Sequence, residues 1–362
     1  MKPKLIISGG GTGGHIFPAL AIADEVKIQF PEASILFVGA YNRMEMQRVP
    51  KAGYRIKGLW ISGFDRKNML RNLLFPLKLG WSIFQALTIV IRFRPNAVVG
   101  TGGFASGPLV FIASMLGVPS LLQEQNAFPG VTNKQLAQRA HAICLGSIAA
   151  LRFFPASKSV VTGNPVRETL LQHISKNDAC KTLGIDSNKF ILLVMGGSLG
   201  ARKINQLIKN HLHDIQQLDV QLIWQCGNLY AAEYQPLANE NTHVVPFIDN
   251  MPAAYAAADL VVSRAGALAI SELCLMGKPT LFIPSPNVAE NHQEKNAQSL
   301  VDNKAAKMVV EHKADNDFWP ALKGLIEDEE LRELIGKNIT SFAHPNATKD
   351  IVEKLTQLIS LE

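Results

Sequence analysis

The chain opens in the same way twice. Leu5-Ile6-Ile7-Ser8 runs into Gly9-Gly10-Gly11-Thr12-Gly13-Gly14, and Phe190–Met195 runs into Gly196-Gly197-Ser198-Leu199-Gly200. A short, continuously apolar run that ends in glycines and feeds a helical pattern is the start of a βαβ unit, and such units build parallel sheets covered on both faces. Similar runs recur at Ile35–Gly39, Ala97–Gly100 and Ser120–Gln123, then at Gln221–Gln225, Leu260–Ser263 and Thr280–Pro284. The restart predicts two doubly wound α/β domains, for which 362 residues suffice. The turn-forming Thr162-Gly163-Asn164-Pro165 follows the strand-like Ser159–Val161, and a second turn cluster runs from Gly184 to Asn188. We therefore expect domains over 1–163 and 164–345. In open α/β sheets ligands sit beyond the carboxyl ends of the strands, so the loops after the strands are where chemistry is expected.

Composition narrows little further. With 47% hydrophobic and 18% charged residues the chain is too apolar for disorder, and a net charge of +6 allows phosphates, nucleic acid or an anionic membrane without choosing among them. No basic-aromatic module of a nucleic-acid binder occurs, so no nucleic-acid partner is expected. Cys144, Cys180, Cys226 and Cys274 are scattered, with no zinc-ligand or disulfide spacing, which fits reduced thiols and no metal site. The apolar Leu5–Ile7 is too short for a signal-peptide core, so the mature protein is expected to start here.

Gly9, Gly11 and Gly14 satisfy the GxGxxG of dinucleotide folds, but no carboxylate follows the second strand before Glu45, so the usual ribose contact is missing. A phosphate-binding P-loop fails because His15 stands where its lysine would be. What remains is a loop with little side-chain bulk leading toward Pro18, a residue suited to a first helical turn, with backbone N–H groups open to an anion or sugar. His15 beside it is a candidate general base, against the plain alternative of a hydrogen-bonded structural histidine. Gly196 to Gly200 offers free amides, the Ser198 hydroxyl and a helix start near Ala201, either to hold a diphosphate or simply to turn the chain. Glu272, one and a half turns into the helix after Ser263-Arg264-Ala265-Gly266, can accept ribose hydroxyls or be a solvated surface acid. Asn291-His292-Gln293 can contact sugar hydroxyls, and Glu124 is either a base or a residue that orients one.

Residues 70–91 are apolar but interrupted by Pro76, Lys78 and Gln85, and are not expected to span a bilayer. Leu73, Leu77, Trp81, Phe84, Leu87 and Ile91 form one helical stripe, and Phe75, Leu79, Ile83 and Val90 a neighbouring one. This arc is wider than packing on a sheet requires. With Arg66, Lys67, Arg71, Lys78, Arg92 and Arg94 close by, residues 66–94 either meet an anionic membrane surface or form a well-buried helix with solvated ends.

Taken in order, Gly10-Gly11-Thr12-Gly13-Gly14-His15, Gly102-Gly103-Phe104-Ala105-Ser106-Gly107-Pro108, Glu124-Gln125-Asn126, Gly163-Asn164-Pro165-Val166-Arg167, Gly196 to Ala201 and Arg264-Ala265-Gly266-Ala267 resemble the MurG family over nearly the whole chain. These are UDP-N-acetylglucosamine transferases that complete lipid II in bacterial peptidoglycan synthesis. The resemblance implies a GT-B fold, two Rossmann-like domains with parallel sheets facing a cleft, and a last helix, within 346–362, that returns to the first domain. It implies UDP-GlcNAc as donor, undecaprenyl-linked lipid I as acceptor, no cofactor or metal, and a peripheral location on the cytoplasmic face of the cell membrane. Carried over by position, it gives Thr12, Gly13, Gly14, Asn126, Arg167, Ser198, Ile248, Ala267, Leu268, Ala269, Ile270, Ser271, Glu272 and Gln293 as donor contacts. Arg167 and Ser198 would attend the diphosphate, the Ile248 backbone the uracil, Glu272 the ribose, and Gln293 with Asn126 the amino sugar. His15 is the first candidate for the base and Glu124 the second. One departure is visible: Gln123 stands where the family more often has His. The alternatives are another GT-B lipid glycosyltransferase, a UDP-sugar epimerase, or a non-catalytic UDP-sugar-binding scaffold at the membrane.

Overall fold

The structure is a computed structural model that describes residues 2–64, 72–166, 168–172, 174–197 and 199–360. It divides into two compact units, Met1–Val166 with His344–Glu362, and Arg167–Ala343. The divisions thus fall at 166/167 and 343/344, a few residues from the expected 163/164 and 345/346.

In the first unit the order is β1 (Lys4–Ser8), α1 (Gly13–Gln29), β2 (Ser34–Ala40), α2 (Glu45–Lys51), β3 (Arg55–Leu59) and α3 (Phe75–Phe93). It continues through β4 (Ala97–Gly100), α4 (Ser106–Met115), β5 (Ser120–Glu124), α5 (Val131–Leu136), β6 (Ala142–Leu145) and β7 (Ser159–Val161). The second unit holds α6 (Lys176–Leu183), β8 (Phe190–Met195), α7 (Arg202–Asn210), α8 (Leu212–Gln217), β9 (Val220–Gln225), α9 (Ala231–Tyr234), β10 (Thr242–Val245) and α10 (Met251–Ala257). Then come β11 (Leu260–Ser263), α11 (Ala267–Met276), β12 (Thr280–Phe282), α12 (His292–Asp302), β13 (Lys307–Met308), α13 (Ala314–Glu327) and α14 (Glu329–Thr340). The last helix, α15 (Ala347–Ser360), belongs to the first unit and packs on α1.

Both sheets are parallel. Among the described residues the first has the order β3-β2-β1-β4-β5-β6-β7 and the second β10-β9-β8-β11-β12-β13. Each therefore starts in its middle and winds outward both ways, which puts a switch point between β1 and β4 and another between β8 and β11. The strands are apolar throughout because both faces are covered. Leu5 and Ile7 face Ile16, Ile22 and Val26 of α1 and Ile351, Val352 and Leu355 of α15, while Ile6 between them faces Ile89 and Val90 of α3 and Leu109 and Val110 of α4. In the second unit Ile191, Leu193 and Met195 pack with α10 and α11, and Leu192 and Val194 pack with α7 and α13.

Two local expectations change. Helix α1 starts at Gly13, so Pro18 lies inside it and not in its first turn. The strand expected over Thr280–Pro284 ends at Phe282. The two apolar stripes over residues 73–91 separate except at Leu87. Ser82, Ala86, Ile89 and Val90 are buried, and Leu79, Ile83 and Leu87 pack against the core, while Leu73, Leu77, Trp81, Phe84 and Ile91 are exposed, Leu73 at 83%. Leu87 thus belongs to the inner face. No helix among the described residues is long and apolar enough to cross a membrane. Arg66, Lys67 and Arg71 lie outside the described residues.

Candidate active site

The first switch point builds its site from three loops. After β1 the chain takes Gly9 to Thr12 into α1, whose opening residues are Gly13 and Gly14. The first N–H groups of a helix have no partner within it, so Gly13 and Gly14 present donors at the positive end of α1. Glu45, at the start of α2 and fully buried, anchors this loop: its Oε2 accepts from Gly11 N at 3.0 Å and its Oε1 from Ala40 N at 3.0 Å. The first carboxylate after β2 is therefore spent on the backbone of the glycine loop and not on a ribose. Sequence reasoning noticed Glu45 only as an acid in the wrong place.

His15 sits half-buried in the first turn of α1. Its Nδ1 lies 2.9 Å from Thr101 O, just past β4, and 3.0 Å from Gln125 Oε1, just past β5. The Thr101 hydroxyl donates in return to His15 O at 2.7 Å. Gly102 follows at a φ of +100°, and a Cβ there would stand 2.8 Å from the imidazole. Only glycine suits both that backbone and that contact. The residue therefore packs the ring into one orientation.

Glu124 is almost wholly buried and its carboxylate is engaged on both oxygens. Oε1 accepts from Asn126 N at 3.0 Å and Asn126 Nδ2 at 3.1 Å, and Oε2 from Asn133 Nδ2 at 2.9 Å and Gly130 N at 3.2 Å. Four donors on one carboxylate fix the loop that carries Asn126, a geometry suited to orienting and not to collecting a substrate proton. Asn133, buried beneath it, was missed by sequence reasoning because nothing in the α5 pattern marks it.

The second switch point joins the loop after β8 to the loop after β11. Gly200, at a φ of +78°, abuts the backbone of Cys226 and Gly227, so the Gly196–Gly200 loop is pressed against the end of β9. Gln225 Nε2 donates to Gly197 O at 2.9 Å, and its Oε1 accepts from Ile248 N at 3.0 Å. Ser198 and Arg167 lie outside the described residues. Helix α11 begins after Gly266 without a side-chain cap, so Ala267, Leu268 and Ala269 present open amides, while Ile270 N already bonds Gly266 O at 2.9 Å. Ser271 is turned back on its helix, donating to Ala267 O at 3.0 Å.

Glu272 is held from behind by the buried Tyr255, whose hydroxyl donates to Oε2 at 2.9 Å. Gln293 Oε1 accepts from Ser285 N at 2.9 Å, which turns its NH₂ group outward. Arg264 ties the ends of β11 and β12, donating to Ile283 O at 2.8 Å and pairing with Glu311 at 2.5 Å. Helices α1, α7 and α11 have no acid in the first turn, a trait they share with α3, α4, α5 and α10. Among the described residues no group of three or more His, Cys, Asp or Glu side chains could hold a metal ion.

The chain is similar to known proteins over nearly its whole length. The chain matches the glycosyltransferase family 28 N-terminal domain over residues 5–145 and the C-terminal domain over 191–342. It is 50% identical over 358 residues, 98% of both chains, to a Flavobacterium psychrophilum protein called UDP-N-acetylglucosamine--N-acetylmuramyl-(pentapeptide) pyrophosphoryl-undecaprenol N-acetylglucosamine transferase. A Christiangramia forsetii protein of the same name is also 50% identical, over 99% of this chain and 98% of its own. The crystal structure of Acinetobacter baumannii MurG superposes with a TM-score of 0.80 at 30% identity, covering 98% of this chain and 99% of that one. The fold of the units is that of GT-B glycosyltransferases.

Proposed function

The chain belongs to glycosyltransferase family 28, and from that premise we propose that it transfers N-acetylglucosamine from UDP-GlcNAc to the C4 hydroxyl of the muramoyl sugar in lipid I. The products are lipid II and UDP, so the step belongs to peptidoglycan synthesis and cell-wall building. What carries the reading is the likeness, end to end, to relatives named for this transfer. The site geometry says how the residues would perform it.

In this reading the second unit holds the donor. The Ile248 carbonyl accepts from the uracil, Glu272, braced by Tyr255, accepts the ribose hydroxyls, and the amides from Ala267 onward meet the diphosphate. Ser198 and Arg167 are assigned to the same diphosphate, and Ile270 and Ser271 complete the α11 segment. Gln293, with its NH₂ outward, and Asn126, held by Glu124, bind the amino sugar, and Thr12, Gly13 and Gly14 supply backbone donors. His15 removes the proton from the C4 hydroxyl as that oxygen attacks the anomeric carbon. The bond to the UDP oxygen breaks on the opposite face, so the α-linked donor gives a β-linked product. Charge developing on UDP falls on helix amides and Arg167, which can stabilise it without a metal ion.

The acceptor is lipid-linked, and α3 supplies a way to reach it. Leu77, Trp81 and Phe84 of α3, with Leu73 just before it, form an exposed apolar stripe with Lys78 on the same helix, and this stripe would enter the headgroup region of an anionic membrane, with residues 66–94 as the contact segment. The protein would then act as a peripheral protein on the cytoplasmic face of the bacterial membrane.

Release of UDP from UDP-GlcNAc, followed with and without a lipid I analogue and with EDTA present, tests the proposal. Release that requires the analogue and survives EDTA is expected. Conversion of UDP-GlcNAc without any acceptor would favour an epimerase, and a requirement for added metal would remove the metal-free part.

A further inference from the structure

Beneath His15 lies a row of buried amides whose donor and acceptor ends are set one by the next. Asn164 Nδ2 donates to Gln125 O at 3.1 Å, so Asn164 Oδ1 faces Gln123 and accepts from Gln123 Nε2 at 3.0 Å. That leaves Gln123 Oε1 to accept from Gln125 Nε2, which also donates to Thr101 O at 2.8 Å and approaches Gln123 O at 3.2 Å. Turning the Gln125 amide over would set its oxygen against three oxygens. Its Oε1 therefore faces His15 Nδ1. Gln123 and Gln125 are buried, as is Asn164.

At His15 the consequence is chemical. Nδ1 meets two acceptors, Gln125 Oε1 and Thr101 O, so it must carry the proton, and the neutral ring keeps its lone pair on Nε2. We propose that Gln125, fixed by Gln123 and Asn164, is a positioning residue that holds His15 in the Nδ1–H tautomer and so makes Nε2 the base. The inference rests on the reading of His15 as the base. An amide serves here where a carboxylate would not do the same work, because a carboxylate on Nδ1 would stabilise the imidazolium and keep the ring protonated to higher pH. Of the charged groups in the neighbouring loops, Glu124 is engaged with Asn126, Gly130 and Asn133, Glu45 with Gly11 and Ala40, and Arg43 lies over the Phe104 ring.

The tautomer is directly measurable. In protein labelled with ¹⁵N-histidine, two-bond ¹H–¹⁵N correlations above the titration of the ring should show His15 protonated on Nδ1, with its signals assigned by their loss in His15→Ala. An Nε2–H tautomer in the wild-type protein would overturn the proposal. Gln125→Leu, which leaves Thr101 O as the remaining acceptor at Nδ1, should weaken the preference for the Nδ1–H tautomer and lower kcat about tenfold, the scale of one lost hydrogen bond, with KM for UDP-GlcNAc unchanged. Gln125→Glu should move the acid limb of the kcat/KM profile to higher pH. If neither variant altered the spectra or the profile while His15→Ala abolished turnover, the amide row would be refuted and the base reading would stand. If His15→Ala kept full turnover, the base reading would fail, and the wild-type spectrum would still decide the tautomer.

Discussion

Three short-range arrangements decide what the site can do: a ring held on one nitrogen, a carboxylate with four donors, and a carboxylate closed on two backbone amides. His15→Ala should lower kcat by about 10² to 10⁴, the usual worth of a general base, with KM for UDP-GlcNAc within about threefold. Steady-state kinetics with a lipid I analogue would check this, and an unchanged kcat would remove His15 from the chemistry. Glu45 makes a different claim. Replacing it by Ala would leave the buried Ala40 N and the part-buried Gly11 N without their charged acceptor, which should cost about 3 kcal/mol in urea unfolding. A change below about 0.5 kcal/mol would mean that water or another group takes its place. The two acids also mark the limit of reading a sequence. Glu124 stood out because it follows a strand and adjoins Asn126, but its role depends on Gly130 and Asn133, whose approach is set by the fold of the loop. Glu45 carries no local pattern at all, since its partners are backbone groups brought together by the β1–β2 pairing.

At the scale of elements, what was legible was what hydrophobicity alone specifies. The central strands β1, β4, β8 and β11 are unbroken apolar runs because both faces are buried, and they were readable almost to the residue. Arg55–Leu59 and Thr242–Val245, where polar residues interrupt the apolar pattern, and the two-residue Lys307–Met308 were not, and Ala142–Leu145 was passed over although it is as long as β4. The two stripes of α3 could be seen in sequence, though not which faced inward. Packing of Ile83 and Leu87 settles that and leaves Leu77, Trp81 and Phe84 outside. Changing these three to Ser should leave thermal stability within about 1 kcal/mol, since they are exposed, yet weaken binding to anionic vesicles more than a hundredfold if each buries in lipid for about 1.5 kcal/mol or more. Sedimentation with vesicles would read the difference, and undiminished binding would show that α3 is not the contact.

Across the whole molecule, one buried thiol in each unit reports on stability. Burial pushes Cys144 on β6 and Cys274 on α11 up to about 12, from an ordinary value near 9. Both thiols therefore stay protonated in the folded protein while the unfolded chain releases those protons above pH 9, so their contribution to stability is full below about pH 9 and is lost as pH rises toward 12. At pH 8 each should react with a thiol reagent only through opening. UDP bound to the second unit at a hundred times its Kd should slow labelling of Cys274 about a hundredfold, and labelling of Cys274 indifferent to UDP would argue against a donor site around α11. The restart at Gly196 foretold two units, yet the exact exchange of chain at His344, which returns α15 to the first unit, lies in packing against α1 that no motif encodes. Incubation of the protein with UDP-GlcNAc labelled in the sugar and a lipid I analogue should yield a single labelled lipid product in which N-acetylglucosamine is joined through a β bond to O4 of the muramoyl sugar, and label recovered only as an altered UDP-sugar, or no labelled lipid at all, would contradict it.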